Sequence, residues 1–201
     1  MVHFNRTRNW NGIIYFFRGP NADKVFSQSL LSLALCRSGE VNKGIEIGSE
    51  LIPMFQFVGF KPGEVFQTLW VGEGFFLNDE HEKATQTIKH ALELAKQCEM
   101  KFYIGWAYRL LGEIVLKTNP IQAGEPLATA HFKESITIFQ EIKAENELAL
   151  AYVGYGRLNK KQGKIDQARE YLLKALAIFE RLGTPLEPDK VRGILAELPK
   201  A

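Results

Sequence analysis

The chain has 201 residues, 46% of them hydrophobic and 24% charged, which is the composition of an ordinary globular protein. Its formal net charge of +2 at pH 7 is too small to predict binding to nucleic acid or to a membrane surface. The two cysteines, Cys36 and Cys98, lie far apart, which excludes a disulfide framework and indicates reduced thiols in a cytoplasmic protein.

Residues 1–21 are predicted to be an irregular or degenerate segment that precedes a repeat domain at 22–201. Within this segment, the apolar run from Ile13 to Phe17 is too short for a membrane span or a signal-peptide core. At the open end of a repeat stack it would form an exposed apolar patch. We therefore expect it to be covered, either by a second copy of the chain in a homodimer or by folding back onto the first repeat. The alternative is a disordered leader.

From residue 22 onward a small residue recurs at intervals of 40, 40, 44 and 40 residues. A period in this range is typical of a solenoid of stacked helical units, and such solenoids usually bind partners rather than catalyse reactions. A small residue lets two helix axes approach closely where they cross. The recurring residues are Ser32, Gly72, Gly112, Gly156 and Ala196.

Each repeat is predicted to be a pair of antiparallel helices, because apolar residues recur at helical spacing between turn residues. Gly39 and Asp79 are predicted to lie in turns within a pair, and Asp79 also to cap the helix that follows it. Gly163 is predicted to end a helix in the left-handed conformation. The ends of the second helices are predicted to bury eight apolar residues, which are Met54, Val58, Leu94, Cys98, Ile138, Ile142, Ile178 and Leu182.

The predicted fold is therefore all-α, a right-handed α-solenoid of about four helix pairs with a 40-residue period. A last helix at 188–198 carries Val191, Ile194, Leu195 and Leu198 on one face. Because Ala196 keeps the register of the small residues, this helix is interpreted as the first helix of an unfinished fifth repeat. It is expected to cap the stack.

Over about residues 22–198 the pattern resembles the tetratricopeptide repeat (TPR) family, which places small residues at positions 8, 20 and 27 of each unit. Position 27 carries Leu51, Ala91, Ser135 and Ala175, of which Leu51 departs from the family pattern. The resemblance implies that positions 2, 5, 9, 12 and 13 of each first helix face a concave groove. The candidate partner-binding residues taken from this register are Phe66, Leu69, Glu73, Trp106, Arg109, Glu113, Arg157, Lys160 and Lys161.

A narrower resemblance is to the C-terminal TPR region of large bacterial signalling proteins that join an adenylate or guanylate cyclase domain to an ATPase module. The segments that carry it are Ala107 to Glu113, His131 to Ser135 and Ala175 to Gly183. Nothing in the chain resembles the catalytic parts of those proteins, so their activity does not carry over.

The function predicted from these observations is a protein- or peptide-binding scaffold with no enzyme activity, no cofactor and no metal site. The basic run Arg157, Lys160 and Lys161 indicates an acidic peptide or another anion as partner, and the alternative is a solvated helix end whose lysines complement the helix dipole. Nucleic acid is not predicted, because no aromatic residues are interleaved with the basic ones. Two other functions stay open, a sensor for a small ligand bound between repeats and a fragment that serves only in oligomerisation.

Overall fold

A computed structural model describes residues 20–118 and 121–199 of the chain. Over these ranges the secondary structure is entirely helical, which confirms the predicted all-α fold. The expectations for the apolar run Ile13 to Phe17 lie outside the described residues. The helices are α1 (Pro20–Ser38), α2 (Val41–Val58), α3 (Lys61–Leu77), α4 (His81–Gln97), α5 (Lys101–Thr118), α6 (Ile121–Glu141), α7 (Glu145–Lys161), α8 (Ile165–Leu182) and α9 (Glu187–Ala196).

The chain divides into two compact units at the boundary between Met100 and Lys101. In the first unit α1 packs on α2 and α3 packs on α4, while α2 also packs on α3. In the second unit α5 packs on α6, α7 on α8, and α6 on α7. The second unit also carries α9, which packs on α8. Each unit thus contains two of the predicted helix pairs.

Small residues lie at the helix crossings, as the sequence predicts. A Cβ atom added to Gly44 would lie 2.6 Å from the backbone oxygen of Ser32, and one added to Gly72 would lie 2.6 Å from a side-chain carbon of Ile88. The Ser32 hydroxyl donates a 2.8 Å hydrogen bond to the carbonyl of Gly44, which joins α1 to α2. Ala196 keeps the same register but is exposed.

The predicted core positions at the ends of the second helices are confirmed only in part. Of the eight, Leu94 is buried, five are half-buried, and Met54 and Leu182 are 41% and 42% exposed. Each second helix instead buries a stripe at i, i+4, i+7 and i+11, the spacing that keeps side chains on one face of a 3.6-residue helix. The last members of the four stripes are Phe55, Ala95, Phe139 and Phe179.

Residues with a left-handed backbone conformation lie between successive helices and recur with the period of the repeat. Gly163 has a φ of +74°, which confirms the predicted helix end there. Asp79 has a φ of +60° and follows α3, so the prediction that it caps α4 is wrong. Glu80 precedes α4 instead and makes no side-chain capping hydrogen bond. The non-glycine Asp79 is tolerated because aspartate is among the residues that most readily adopt this conformation.

Candidate functional site

The predicted binding residues of the first unit are committed to packing within that unit. Leu69 and Glu73 on α3 are buried. Arg37 of α1 donates hydrogen bonds of 3.1 Å to each carboxylate oxygen of Glu73, so the charge of Glu73 is matched inside the unit. Phe66 is half-buried, with its ring centroid 5.4 Å from that of Phe55. This face therefore offers little free charge to a partner.

In the second unit, α5 places Trp106 and Arg109 mostly inside the protein, and Trp106 is only 6% exposed. Its ring lies 5.9 Å from that of Phe102, in an edge-to-face arrangement. The Arg109 Nε atom lies 3.7 Å from Glu147 Oε2 of α7, which is an ion pair but too long for a hydrogen bond. Trp106 thus contributes to the core of the second unit and Arg109 links α5 to α7, while binding by either residue stays a prediction.

Further along the same two helices, Glu113 and Arg157 form a second ion pair between α5 and α7. The Arg157 Nη1 atom lies 3.1 Å from Glu113 Oε2. The Glu113 side chain is mostly buried, while the Arg157 side chain is half exposed. Part of the guanidinium is thus committed to the protein and the rest is accessible to a ligand.

A surface pocket of about 400 Å³ opens beside Arg157 in the second unit. It brings together all three residues of the predicted basic run, which come from the last two turns of α7. It also includes an apolar residue from each of two neighbouring helices and a carboxylate that follows α9. We call it the basic pocket, and its lining residues are Leu116, Arg157, Lys160, Lys161, Ile194 and Glu197.

The two lysines of the basic pocket have partners in the protein. The Lys160 ammonium lies 2.5 Å from Glu197 Oε2, and this hydrogen bond holds the pKa of the Glu197 carboxyl below its ordinary value. The Lys161 ammonium donates a 2.7 Å hydrogen bond to the carbonyl of Leu116, near the end of α5. A cation there complements the partial negative charge of a helix C-terminus.

The charge balance and the apolar walls define what the pocket can hold. The site contains three cations, Arg157, Lys160 and Lys161. The carboxylates of Glu113 and Glu197 offset two of them, so the site has a net charge of about +1, each ionised group counting as one unit. Leu116 and Ile194 add apolar surface. The arrangement suits a ligand that combines a carboxylate, or another small anion, with an apolar group.

Sequence reasoning missed Glu197, although the repeat register contains the signal. Glu197 follows Ala196 and therefore occupies position 9 of the unfinished fifth repeat, where Glu73 and Glu113 stand in earlier repeats. All three glutamates pair with a basic residue of a neighbouring first helix in their own unit. Position 9 is thus a recurrent site of ion pairs rather than a set of unpaired groove charges.

Residues 20–118 and 121–199 contain no group of three or more histidine, cysteine or acidic side chains placed to hold a metal ion. None of the helices in these ranges has the length and apolar character needed to cross a membrane.

The sequence matches no protein-family profile and no curated protein. Solved structures nevertheless share its fold. BtubC (BKLC) from P. vanneervenii aligns with a TM-score of 0.64 at 12% identity, over 96% of this chain and 89% of that one. The putative kinesin light chain of Podosopora anserina, with nearly identical TPR-like repeats, aligns with a TM-score of 0.63 at 12% identity, over 86% of this chain and 84% of that one. A point variant of that protein aligns with a TM-score of 0.53 at 11% identity, over 86% and 93%. The fold is therefore that of TPR-like helical repeats.

Proposed function

We propose that this chain is a peptide-binding helical repeat scaffold and that its basic pocket holds an acidic segment of the partner. TPR-like repeats commonly mediate protein interactions, and this fold generally serves as a non-enzymatic scaffold. The observation that carries the proposal is the convergence of Arg157, Lys160 and Lys161 around a pocket with apolar walls. Basic groups would bind carboxylates, and Leu116 would contact an adjacent apolar side chain.

The other predicted binding residues have supporting roles in this proposal. Trp106 and Arg109 shape the face of α5, and the Glu113 carboxylate positions Arg157 beside the pocket. Because Arg157 and Lys161 are exposed, we expect the cations to accelerate association and to set specificity more than to supply affinity. Binding should weaken as salt is raised, since screening is strong beyond about 8 Å at physiological ionic strength. A regulatory role in bacterial signalling, in the cytoplasm, is the context that we propose for such a scaffold.

The proposal is tested by selecting partners from a phage-displayed library of random peptides against the full chain. We expect acidic peptides with at least one large apolar residue to be enriched. Fluorescence anisotropy of a selected peptide should show roughly tenfold weaker binding to Lys161→Glu than to the unaltered chain, a difference of about 1.4 kcal/mol. Lys133→Glu is the matched control, because Lys133 is exposed on α6 and does not line the pocket.

Selection of peptides without acidic residues, or equal binding to both variants, would remove the basic pocket from the proposed function. A circular dichroism melt of each variant shows that a loss of binding is not a loss of fold. Lys161→Glu also removes the exposed hydrogen bond to the Leu116 carbonyl, so it is expected to cost about 1 kcal/mol of stability, and Lys133→Glu less.

A small-ligand sensor is the second candidate, favoured by the volume of the pocket. About 400 Å³ falls within the range of roughly 300–1,000 Å³ that is typical of small-molecule sites. Calorimetric titration of the full chain with succinate and with glutamate distinguishes the two functions. Binding of these free acids as tightly as of the selected peptides would favour the sensor.

A homodimer formed through the N-terminal end is also part of the proposal and concerns residues that the structure does not describe. Light scattering of the full chain and of a form that lacks residues 1–20 tests it. A dimer that becomes a monomer on truncation supports the proposal, and the same number of chains per particle in both forms contradicts it.

A further inference from the structure

We infer that the segment at the end of α9 is an intramolecular ligand of the basic pocket, an inference that rests on the proposed function. The partner then carries a similar sequence pattern and displaces this segment. The partner is a peptide that presents an apolar side chain and, three residues later, a carboxylate. Ile194 and Glu197 show this pattern in the chain itself, and both line the pocket. The chain's own Glu197 therefore already supplies Lys160 with a carboxylate partner.

The ion pair between Glu197 and Lys160 is the contact that the partner replaces. Unlike Glu73 and Glu113, whose carboxylates are mostly buried, the Glu197 side chain is 67% exposed. An exposed pair contributes little to stability and is readily screened. A ligand carboxylate can therefore take the place of Glu197 on Lys160 without leaving a charge stranded inside the protein.

The α9 helix is suited to being displaced because it buries few residues and its ion pair with α8, between Arg192 and Glu180, is about half exposed. Within α9 only Val191 is buried, and Leu198 is buried just after the helix ends. The neighbouring α8 buries four residues along its length. Gly193 further weakens α9, because glycine is a poor helix former and no neighbouring atom would contact a Cβ atom at that position. Elements with few buried contacts are the ones that open first.

The chemistry of the pocket also fits a ligand with the Ile194–Glu197 pattern. In a helix, residues three positions apart lie on the same face, so one turn presents both groups together. Lys160 then meets the carboxylate, while Leu116 of α5 provides an apolar wall on the side of the pocket formed by a different helix. Arg157, with half of its side chain exposed, lines the same space and can bind a second acidic group.

An intramolecular ligand reduces the apparent affinity of any competitor, because a tethered group acts at an effective concentration in the millimolar range. Removing the carboxylate of Glu197 should therefore strengthen the binding of an external acidic peptide. Because removing this carboxylate also raises the net charge of the pocket, the gain in binding alone fits simple charge attraction as well. The response of α9 to the bound peptide decides between the two.

The experiment uses a fluorescein-labelled synthetic peptide with the sequence of residues 187–199 and measures its anisotropy with the full chain. We expect Glu197→Gln to bind this probe about two- to fivefold more tightly than the unaltered chain, since the carboxylate that competes for Lys160 is gone and an exposed ion pair supports no larger factor. Adding Lys160→Met to that variant should abolish the gain. Glu170→Gln is the matched control, because Glu170 is an exposed carboxylate that pairs with Lys174 on α8, outside the pocket. It should bind the probe as the unaltered chain does.

The same peptide, unlabelled, provides a second readout with isotopically labelled chain. Amide hydrogen exchange measured by NMR should become faster along α9 when the peptide saturates the unaltered chain, because the helix is displaced. Slower exchange there would mean that the peptide binds over α9, and it would overturn the inference.

The failures of the two proposals are distinguishable. If Glu197→Gln and the unaltered chain bind the probe equally well, the intramolecular ligand is refuted while the peptide-binding function stands. If neither binds the probe, and library selection also yields no acidic peptide, both proposals fail.

Discussion

Two helices of equal length, α3 in the first unit and α7 in the second, carry side chains of different character at equivalent repeat positions. Each has 17 residues and begins the second helix pair of its unit. Where α3 ends in Phe76 and Leu77, α7 has Lys160 and Lys161 at the same register positions. The repeat therefore preserves the backbone geometry while the side chains of the last turn change from apolar to basic.

The difference extends to burial. The α3 helix is buried around most of its circumference, including the polar residues Glu64, Gln67 and Thr68. The α7 helix instead keeps a stripe at helical spacing that is partly or fully exposed, and this stripe ends in the basic residues Arg157 and Lys161. Burial on all sides is typical of a core helix, and an accessible stripe is typical of a helix that also meets solvent or a ligand. In the first unit α3 thus serves mainly as a core helix, whereas in the second unit α7 also carries the candidate site.

Among the substitutions that test this contrast, Phe55→Ala in the first unit should have the largest effect on stability. Phe55 is fully buried, and its ring centroid lies within 6.2 Å of those of Phe26, Phe60 and Phe66. We expect the free energy of unfolding to fall by about 3–5 kcal/mol, because the substitution leaves a cavity in the aromatic cluster. Urea denaturation followed by circular dichroism measures it.

Phe57→Ala, two residues further along α2, is the matched control for this cavity. Phe57 is 91% exposed, so its removal should change stability by about 0.5 kcal/mol or less. Equal losses in the two variants would mean that the aromatic cluster does not carry the stability of the first unit.

The next test concerns close helix packing, which α1 and α2 show and α9 lacks. A Cβ atom at Gly44 would lie 2.6 Å from the Ser32 carbonyl oxygen and 2.9 Å from the Cys36 backbone nitrogen. Because these are backbone atoms, Gly44→Ala should force α1 and α2 apart and destabilise the chain by about 1–3 kcal/mol. A thermal melt measures the change.

Gly193→Ala provides the opposite case in α9. Nothing lies within 4 Å of the Cβ position there, so alanine should stabilise the helix by up to about 1 kcal/mol. A melting temperature for Gly44→Ala equal to or above that of Gly193→Ala would contradict the proposed role of the small residues.

A third test makes the end of α7 resemble that of α3 through the double substitution Lys160→Phe and Lys161→Leu. We expect a library-selected acidic peptide to bind roughly tenfold more weakly, about 1.4 kcal/mol, because two cations leave the pocket. Anisotropy at low and at physiological salt measures the loss, which should be larger at low salt. Unchanged affinity with an intact melt would show that the difference between the two helix ends has no role in binding.

The smallest effect is the pH dependence of the buried carboxyl Glu64. Burial raises its pKa, but hydrogen bonds from Lys61 and Gln56 outweigh burial, and the pKa lies below its ordinary value of 4.5. A lowered pKa in the folded state contributes stability that is present above about pH 4.5 and is lost as the pH falls through the folded-state pKa. Glu64→Gln should therefore be less stable than the unaltered chain at about pH 7, and the gap should narrow by about pH 3.

Glu145→Gln is the exposed counterpart of this change in the second unit. Hydrogen bonds from Arg181 lower the pKa of Glu145, but both side chains are about half exposed. Its effect should be smaller than that of Glu64→Gln and should vanish at high salt. Denaturation curves at about pH 3 and about pH 7 that show the same gap for Glu64→Gln would contradict the assignment.

Local patterns in the sequence were sufficient for the helix pairs, the period and the crossing residues. Gly72 and Gly156 could be placed at crossings because glycine is a poor helix former, so its recurrence within a helical pattern indicates close packing of helices. The buried ends of the second helices were misplaced by one residue, at Phe55 and Phe179, because two adjacent apolar residues fit the same pattern and only the packing of the neighbouring helix selects one of them.

The sequence by itself determined an all-helical repeat fold with a basic run near the end of the first helix of its fourth pair, since helical periodicity and turn residues act over a few positions of the chain. Only the tertiary structure decided which charged side chains form ion pairs. Arg37 pairs with Glu73, Arg157 with Glu113, and Lys160 with Glu197, over separations of 36, 44 and 37 residues. The register places these residues on one face, but their contacts depend on how far successive helices within a unit are stacked and rotated. That geometry is set by the packing of whole side-chain layers, which no short segment of the chain encodes.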